Sequence, residues 1–96
     1  YTSGTMGKPK GVRLSHAGVI ETARLTADAM RVGGADRVFA AVPLFASFGF
    51  GTAVGAVAEG ATLVLQEHFD AADALALIAR ERVTVVHGVP TTFHLL

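Results

Sequence analysis

What most constrains this chain is a recurring pattern of short apolar runs, each leading into a stretch with helical character. Val38–Val42, Thr62–Leu65 and Val83–Val86 are such runs, bounded by turn residues or charges. Segments that are apolar throughout, with no alternation, suit strands buried on both faces. Gly11–Leu14 reads as a further short strand. Ser15 is placed to cap a helix over 16–31, in which Val19, Ile20, Ala23, Ala27 and Met30 recur at helical spacing. Gly33, Gly34 and Asp36 form a turn. Phe45–Ala58 reads as a loop passing into an alanine- and glycine-rich helix ended by Gly60. Asp70 caps a helix over 71–82, with Asp73 adding an acid to its positive end. Gly88–Pro90 turns into a last helix.

Strands alternating with helices imply an α/β fold, a mostly parallel sheet covered by helices. Tyr1 reads as the end of a strand and Thr91–Leu96 as a helix just begun. Residues 1–96 are therefore expected to be part of one domain, truncated at both ends. There is no internal repeat, low-complexity tract or linker.

Composition narrows the function classes. The chain is 51% hydrophobic and 17% charged, with zero formal net charge. This is packed protein, and it lacks the positive excess that nucleic-acid binders and polybasic membrane clamps need. With no cysteine, disulfides and thiol-ligated metal are excluded, which is compatible with a cytoplasmic location. Residues 38–58 carry no charge and are long enough to span a bilayer. Pro43, Gly49, Gly51 and Gly55 interrupt them, so a buried strand, loop and helix is the better reading, with no integral membrane segment.

The neutral chain is locally cationic at its start. Lys8, Lys10 and Arg13 are the only charged residues in 1–13, and the first acid is Glu21. They sit in or beside YTSGTMGKPKG, residues 1–11. Gly4, Gly7 and Gly11 let backbone N–H groups approach a ligand, and Thr2, Ser3 and Thr5 supply hydroxyls. Pro9 stiffens the segment between the lysines. Several donors, two cations and no acid suit anionic oxygen. The spacing is not that of a Walker A loop, because only two residues separate Gly4 from Gly7 and Pro9 stands where Ser or Thr would hold magnesium.

TSGTMGKPKG closely resembles the phosphate-loop signature of the adenylate-forming superfamily, which includes acyl-CoA synthetases, luciferases and peptide-synthetase adenylation domains. The likeness continues in order through Val12–His16, through Pro43–Gly49 (PLFASFG) and through Val83–Leu96 (VTVVHGVPTTFHLL). It implies part of the N-terminal domain of a fatty-acid–CoA ligase type enzyme. In that family a carboxylate attacks the α-phosphorus of ATP to give an acyl adenylate, and a thiol of CoA or of a carrier protein then displaces AMP. Carried over, Thr2, Ser3, Gly4, Thr5, Met6, Gly7 and Lys10 form the phosphate site. Lys8 falls at a variable position and reads as solvated. The family's ribose-binding aspartate, its Mg2+-coordinating glutamate and its adenylation lysine all fall beyond Leu96. The chain alone is therefore expected to be inactive and to supply no metal ligand.

Two departures from the family pattern bear on chemistry. Met6 stands where the family has Thr or Ser, and a thioether donates no hydrogen bond to phosphate. Ala46 stands where acyl-CoA ligases often carry histidine, leaving a smaller, more apolar wall that favours a fatty or aliphatic acid. Phe45, Ala46, Phe48, His87 and Val89 are the acyl-pocket candidates the resemblance supplies. Phe48 falls where 4-coumarate–CoA ligases have a substrate-contacting aromatic. Glu67, His68 and Asp70 read as a surface turn in preference to a chelating group. The leading reading is an ATP-dependent acid–CoA ligase, with a carrier-loading adenylation domain and a non-catalytic remnant as alternatives.

Overall fold

Three apolar runs pair side by side in a computed structural model that describes residues 1–96 apart from Ser3, Thr5 and Met6. The strands are β1 (Arg37–Ala40), β2 (Thr62–Val64) and β3 (Val85–His87), all parallel, in the order β2-β1-β3. Val38 pairs with Leu63 on one side and Val85 on the other. The helices are α1 (His16–Ala29), α2 (Ser47–Ala58), α3 (Ala71–Arg80) and α4 (Pro90–Leu95).

The sheet has two cores because neighbouring residues of a strand face opposite ways. Val38 packs with Ala27, Val32 and Ala56, under α1 and α2. Phe39, fully buried, packs with Val64 and Ala74, under α3. The chain steps one way from β1 to β2 and back across β1 to β3. Right-handed crossovers in opposite directions place α2 and α3 on opposite faces. The uncharged stretch 38–58 is thus strand, turn and helix. Among the described residues no helix is long and apolar enough to cross a membrane.

Local signals account for most boundaries. Ser15 Oγ accepts from Gly18 N–H at 3.0 Å and Asp70 Oδ1 from Asp73 N–H at 2.9 Å, capping α1 and α3. Asp36 closes the turn before β1. Its carboxylate accepts from Gly33 N–H and from the Thr84 hydroxyl, each at 2.8 Å. The Arg37 guanidinium reaches the Glu81 carbonyl and, at 2.9 Å, the Glu81 carboxylate.

Four expectations need correction. Gly11–Leu14 is not a strand. It has no ladder partner among the described residues, and Val12 and Leu14 are exposed. The α1 and α3 helices stop two residues short of the expected 31 and 82, because Arg31 and Arg82 take left-handed φ of 57° and 51°. The third run forms its strand at Val85–His87, not Val83–Val86, because Val83 N–H closes the end of α3 on the Ile78 carbonyl. Ile20 and Met30, expected to face the core, are each more than two-fifths exposed.

Candidate functional site

The glycine-rich segment is closed at its base. Thr2 N–H donates to the Lys10 carbonyl at 2.8 Å, and Lys10 N–H donates to Thr2 Oγ1 at 2.9 Å. Gly7 N–H donates to the Gly4 carbonyl at 3.1 Å. Gly4 and Gly7 have φ of 78° and 132°, a region that side chains disfavour. A Cβ on Gly4 would also lie 3.0 Å from the Gly7 carbonyl oxygen. Lys8 and Lys10 are both exposed. The described donors, with two cations and no acid before Glu21, fit an anionic group such as a polyphosphate. Thr2 has a role the sequence did not disclose: its hydroxyl oxygen accepts from Lys10 N–H and helps close the loop. The candidates Ser3, Thr5 and Met6 lie outside the described residues.

The acyl-pocket candidates all lie at or after the carboxyl ends of parallel strands, where open α/β sheets bind ligands. Phe45, Ala46 and Phe48 follow β1, while His87 ends β3 and Val89 follows it. The backbone joins these ends directly, because Ala41 N–H donates to the His87 carbonyl at 2.9 Å. Phe48 and His87 meet edge to face, with centroids 5.8 Å apart and planes at 72°. His87 is 9% exposed, and burial lowers its pKa below the ordinary 6.5, so the ring is neutral at pH 7. Val89 caps α4: its N–H donates to Thr92 Oγ1 at 3.3 Å, and its side chain is 44% exposed. Close packing at Gly88, where a Cβ would lie 2.8 Å from Thr92, fixes that turn.

Phe45 belongs to a different space. It lines a cleft of about 770 Å³ between the loops that follow β1 and β2, together with Leu44, Leu65, Gln66 and Phe69. Ala46, Phe48, His87 and Val89 do not line that cleft. Gln66 is the residue that sequence reasoning missed. Its Nε2 donates to the Asp70 carbonyl at 3.3 Å, while its Oε1 is buried with no partner among the described residues. A polar residue directly after an apolar strand was the available signal. His68 and Glu67 are more than nine-tenths exposed and Asp70 is engaged as a helix cap, so these residues form a surface turn. Among the described residues no three His, Asp or Glu side chains gather as a metal site.

Comparison with known proteins places this arrangement. Residues 1–96 match the family described as AMP-binding enzyme. The chain is 44% identical over 94 residues to YngI of Bacillus subtilis (strain 168), covering 97% of this chain and 17% of that protein. It is 40% identical over 95 residues to the acyl-CoA ligase sidI of Beauveria bassiana (strain ARSEF 2860), covering 97% of this chain and 16% of that protein. Its fold matches the O-succinylbenzoate coenzyme A synthetase MenE of Bacillus subtilis, solved with ATP and magnesium ion, at a TM-score of 0.87 and 36% identity. That match covers 98% of this chain and 20% of the other. The chain thus spans about one sixth of the length of the curated relatives it matches. An α/β sheet of this topology, carrying the glycine-rich loop and matched from end to end, makes this chain a member of the AMP-binding enzyme family.

Proposed function

We propose that the chain is a segment of the N-terminal domain of an ATP-dependent acid–CoA ligase, acting in the cytoplasm. The observation that carries this reading is the closed, cationic glycine loop at the head of a chain that matches the family over its whole length. In this reading Thr2, Ser3, Gly4, Thr5, Met6, Gly7 and Lys10 hold the β- and γ-phosphates of ATP. Backbone N–H groups and the Lys10 ammonium stabilise the charge that builds as pyrophosphate leaves and the acid's carboxylate oxygen joins the α-phosphorus. Mg2+, bound by ligands outside this chain, would supply further charge neutralisation. The thiol of CoA then attacks the acyl carbon of the adenylate, loses its proton and displaces AMP, giving the thioester.

The acid is fatty or aliphatic in this reading. Ala46 supports that choice because it presents only a methyl group where a histidine would add a polar ring. The relatives themselves divide, one being named a medium-chain-fatty-acid–CoA ligase and another a feruloyl-CoA synthase. The test is ATP–pyrophosphate exchange by the full-length protein carrying this segment, with a panel of aliphatic and aryl acids. Exchange with aliphatic acids, enhanced by Met6→Thr, is the expected result. No exchange with any acid, and none restored by Met6→Thr, would overturn the reading. Exchange with aryl acids alone would overturn the substrate class and leave the reaction standing.

A further inference from the structure

We infer that His87 is a positioning residue for acid selectivity, because it holds the Phe48 ring as one wall of the acyl site. The inference rests on the acyl-site reading above and goes beyond it by naming the group that orients the wall. Phe48 stands in the first turn of α2 and is 44% exposed, so its own helix leaves the ring free on one side. Edge-to-face contact with His87 supplies what the helix does not.

The His87 backbone is itself anchored. Its carbonyl accepts from Ala41 N–H at the end of β1. His87 also borders a cavity of about 20 Å³ whose other walls include Thr26, Val38, Thr52 and Ala56. No charged side chain borders that cavity. Among the described residues neither ring nitrogen has a hydrogen-bond partner, which distinguishes this histidine from one kept to satisfy a buried polar network. After it, Gly88 and Val89 turn the chain into α4. The His87 backbone is thus anchored at a strand end and its ring meets Phe48, so a small displacement there would re-aim an exposed aromatic.

The geometry separates two roles that the sequence grouped together. Phe45 faces the larger cleft beside Gln66, and Phe48 stands with His87 on the other side of the β1 loop. Selectivity should therefore respond to Phe48 and His87 as a unit.

The experiment is a double-mutant cycle in the full-length ligase, scored by kcat/KM for aliphatic acids of increasing length and for aryl acids, with KM for ATP as the control. His87→Leu is expected to lower kcat/KM for the preferred acid by about 3- to 10-fold, the size an aromatic pair supplies, and to change the order of preference. KM for ATP should stay unchanged. In a Phe48→Ala background the same substitution should have no further effect, and His87→Phe should restore the original order. Additive effects, or an unchanged order of preference with His87→Leu, would overturn the inference even where exchange is robust. Absence of exchange in the unmodified enzyme would instead be the failure of the acyl-site reading.

Discussion

Glycines in one helix can have opposite effects, and α2 holds three of them. A Cβ on Gly49 would fall 2.1 Å from the Pro43 carbonyl oxygen, and one on Gly55 would fall 2.9 Å from the Ala23 carbonyl. Gly51 meets nothing within 4 Å. Helix propensity alone favours alanine at each by about 1 kcal/mol. Gly51→Ala should therefore stabilise the fold by about that amount. Gly49→Ala should cost about 2 kcal/mol or more, because a backbone oxygen cannot rotate aside as a side chain can. Urea midpoints of the two variants should move in opposite directions. His87 carries the second residue-scale prediction. Its folded pKa lies below 6.5, so between those two values the unfolded chain binds a proton that the folded chain refuses. Stability from this site is complete above pH 6.5 and is lost as pH falls towards the folded pKa. Denaturant midpoints should decline from pH 7.5 to 5.5 in the native chain and decline less in His87→Gln. Asp36 acts lower on the scale. Hydrogen bonds from Gly33 and Thr84 hold it below 3.8, so its contribution is lost only as pH falls below that value.

Helix ends show where the sequence was legible and where it was not. All three long helices end in the same way, with the residue after the cap in the left-handed region and two backbone bonds closing the last turn. In α2 this residue is Gly60, at φ 75°, which the sequence marked as a stop. In α1 and α3 it is Arg31 and Arg82, at φ 57° and 51°. Val32 N–H reaches the Ala27 carbonyl at 2.9 Å, and Val83 N–H reaches Ile78 at 3.0 Å. Arginine is a good helix former, so periodicity ran both helices two residues too far and moved the start of the third strand. The strand order was equally hidden, since β1 lies at the centre only because crossovers alternate in direction. The geometry of the site was hidden in the same manner. Phe48, in the first turn of α2, and His87, at the end of β3, meet through the parallel pairing of β1 and β3, which the sequence did not reveal. The separate cleft of Phe45 and Gln66 depended on loop shape. Replacing Arg31 or Arg82 by glycine removes a left-handed side chain that costs about 1–2 kcal/mol. It also forfeits a favourable cation at a helix C-terminus, of about 0.3–1 kcal/mol. Each variant should raise the thermal midpoint slightly, and Gly60→Ala should lower it.

At the scale of the whole molecule, the chain exposes more surface than its mass requires. A folded monomer of 9.9 kDa is expected to show about 5200 Å², and this chain shows 6850 Å². Its radius of gyration is 14.1 Å, against about 12.5 Å expected for its length. Part of the excess is apolar: Leu25, Val57, Leu65 and Phe93 are each more than half exposed. Among the described residues the sheet has three strands, and helices cover both its faces, but β2 and β3 leave two edges unpaired. A chain spanning about one sixth of its relatives' length has reason to leave such surface bare. On its own it should bind 1-anilinonaphthalene-8-sulfonate, tend to associate and unfold over a broad urea range. The glycine loop depends on none of those faces for its closure, because Thr2 and Lys10 hold each other. The isolated chain should thus still bind pyrophosphate weakly, with slow exchange of the Lys10 amide that Thr2→Val abolishes and Thr2→Ser retains. It should nevertheless show no ATP–pyrophosphate exchange with any acid, since the adenylation lysine is not among its residues in the proposed reading. Turnover by the isolated chain would show that the loop and the strand ends suffice for chemistry. Loss of the Lys10 protection in the native chain would show that Thr2 and Lys10 alone do not hold the loop closed.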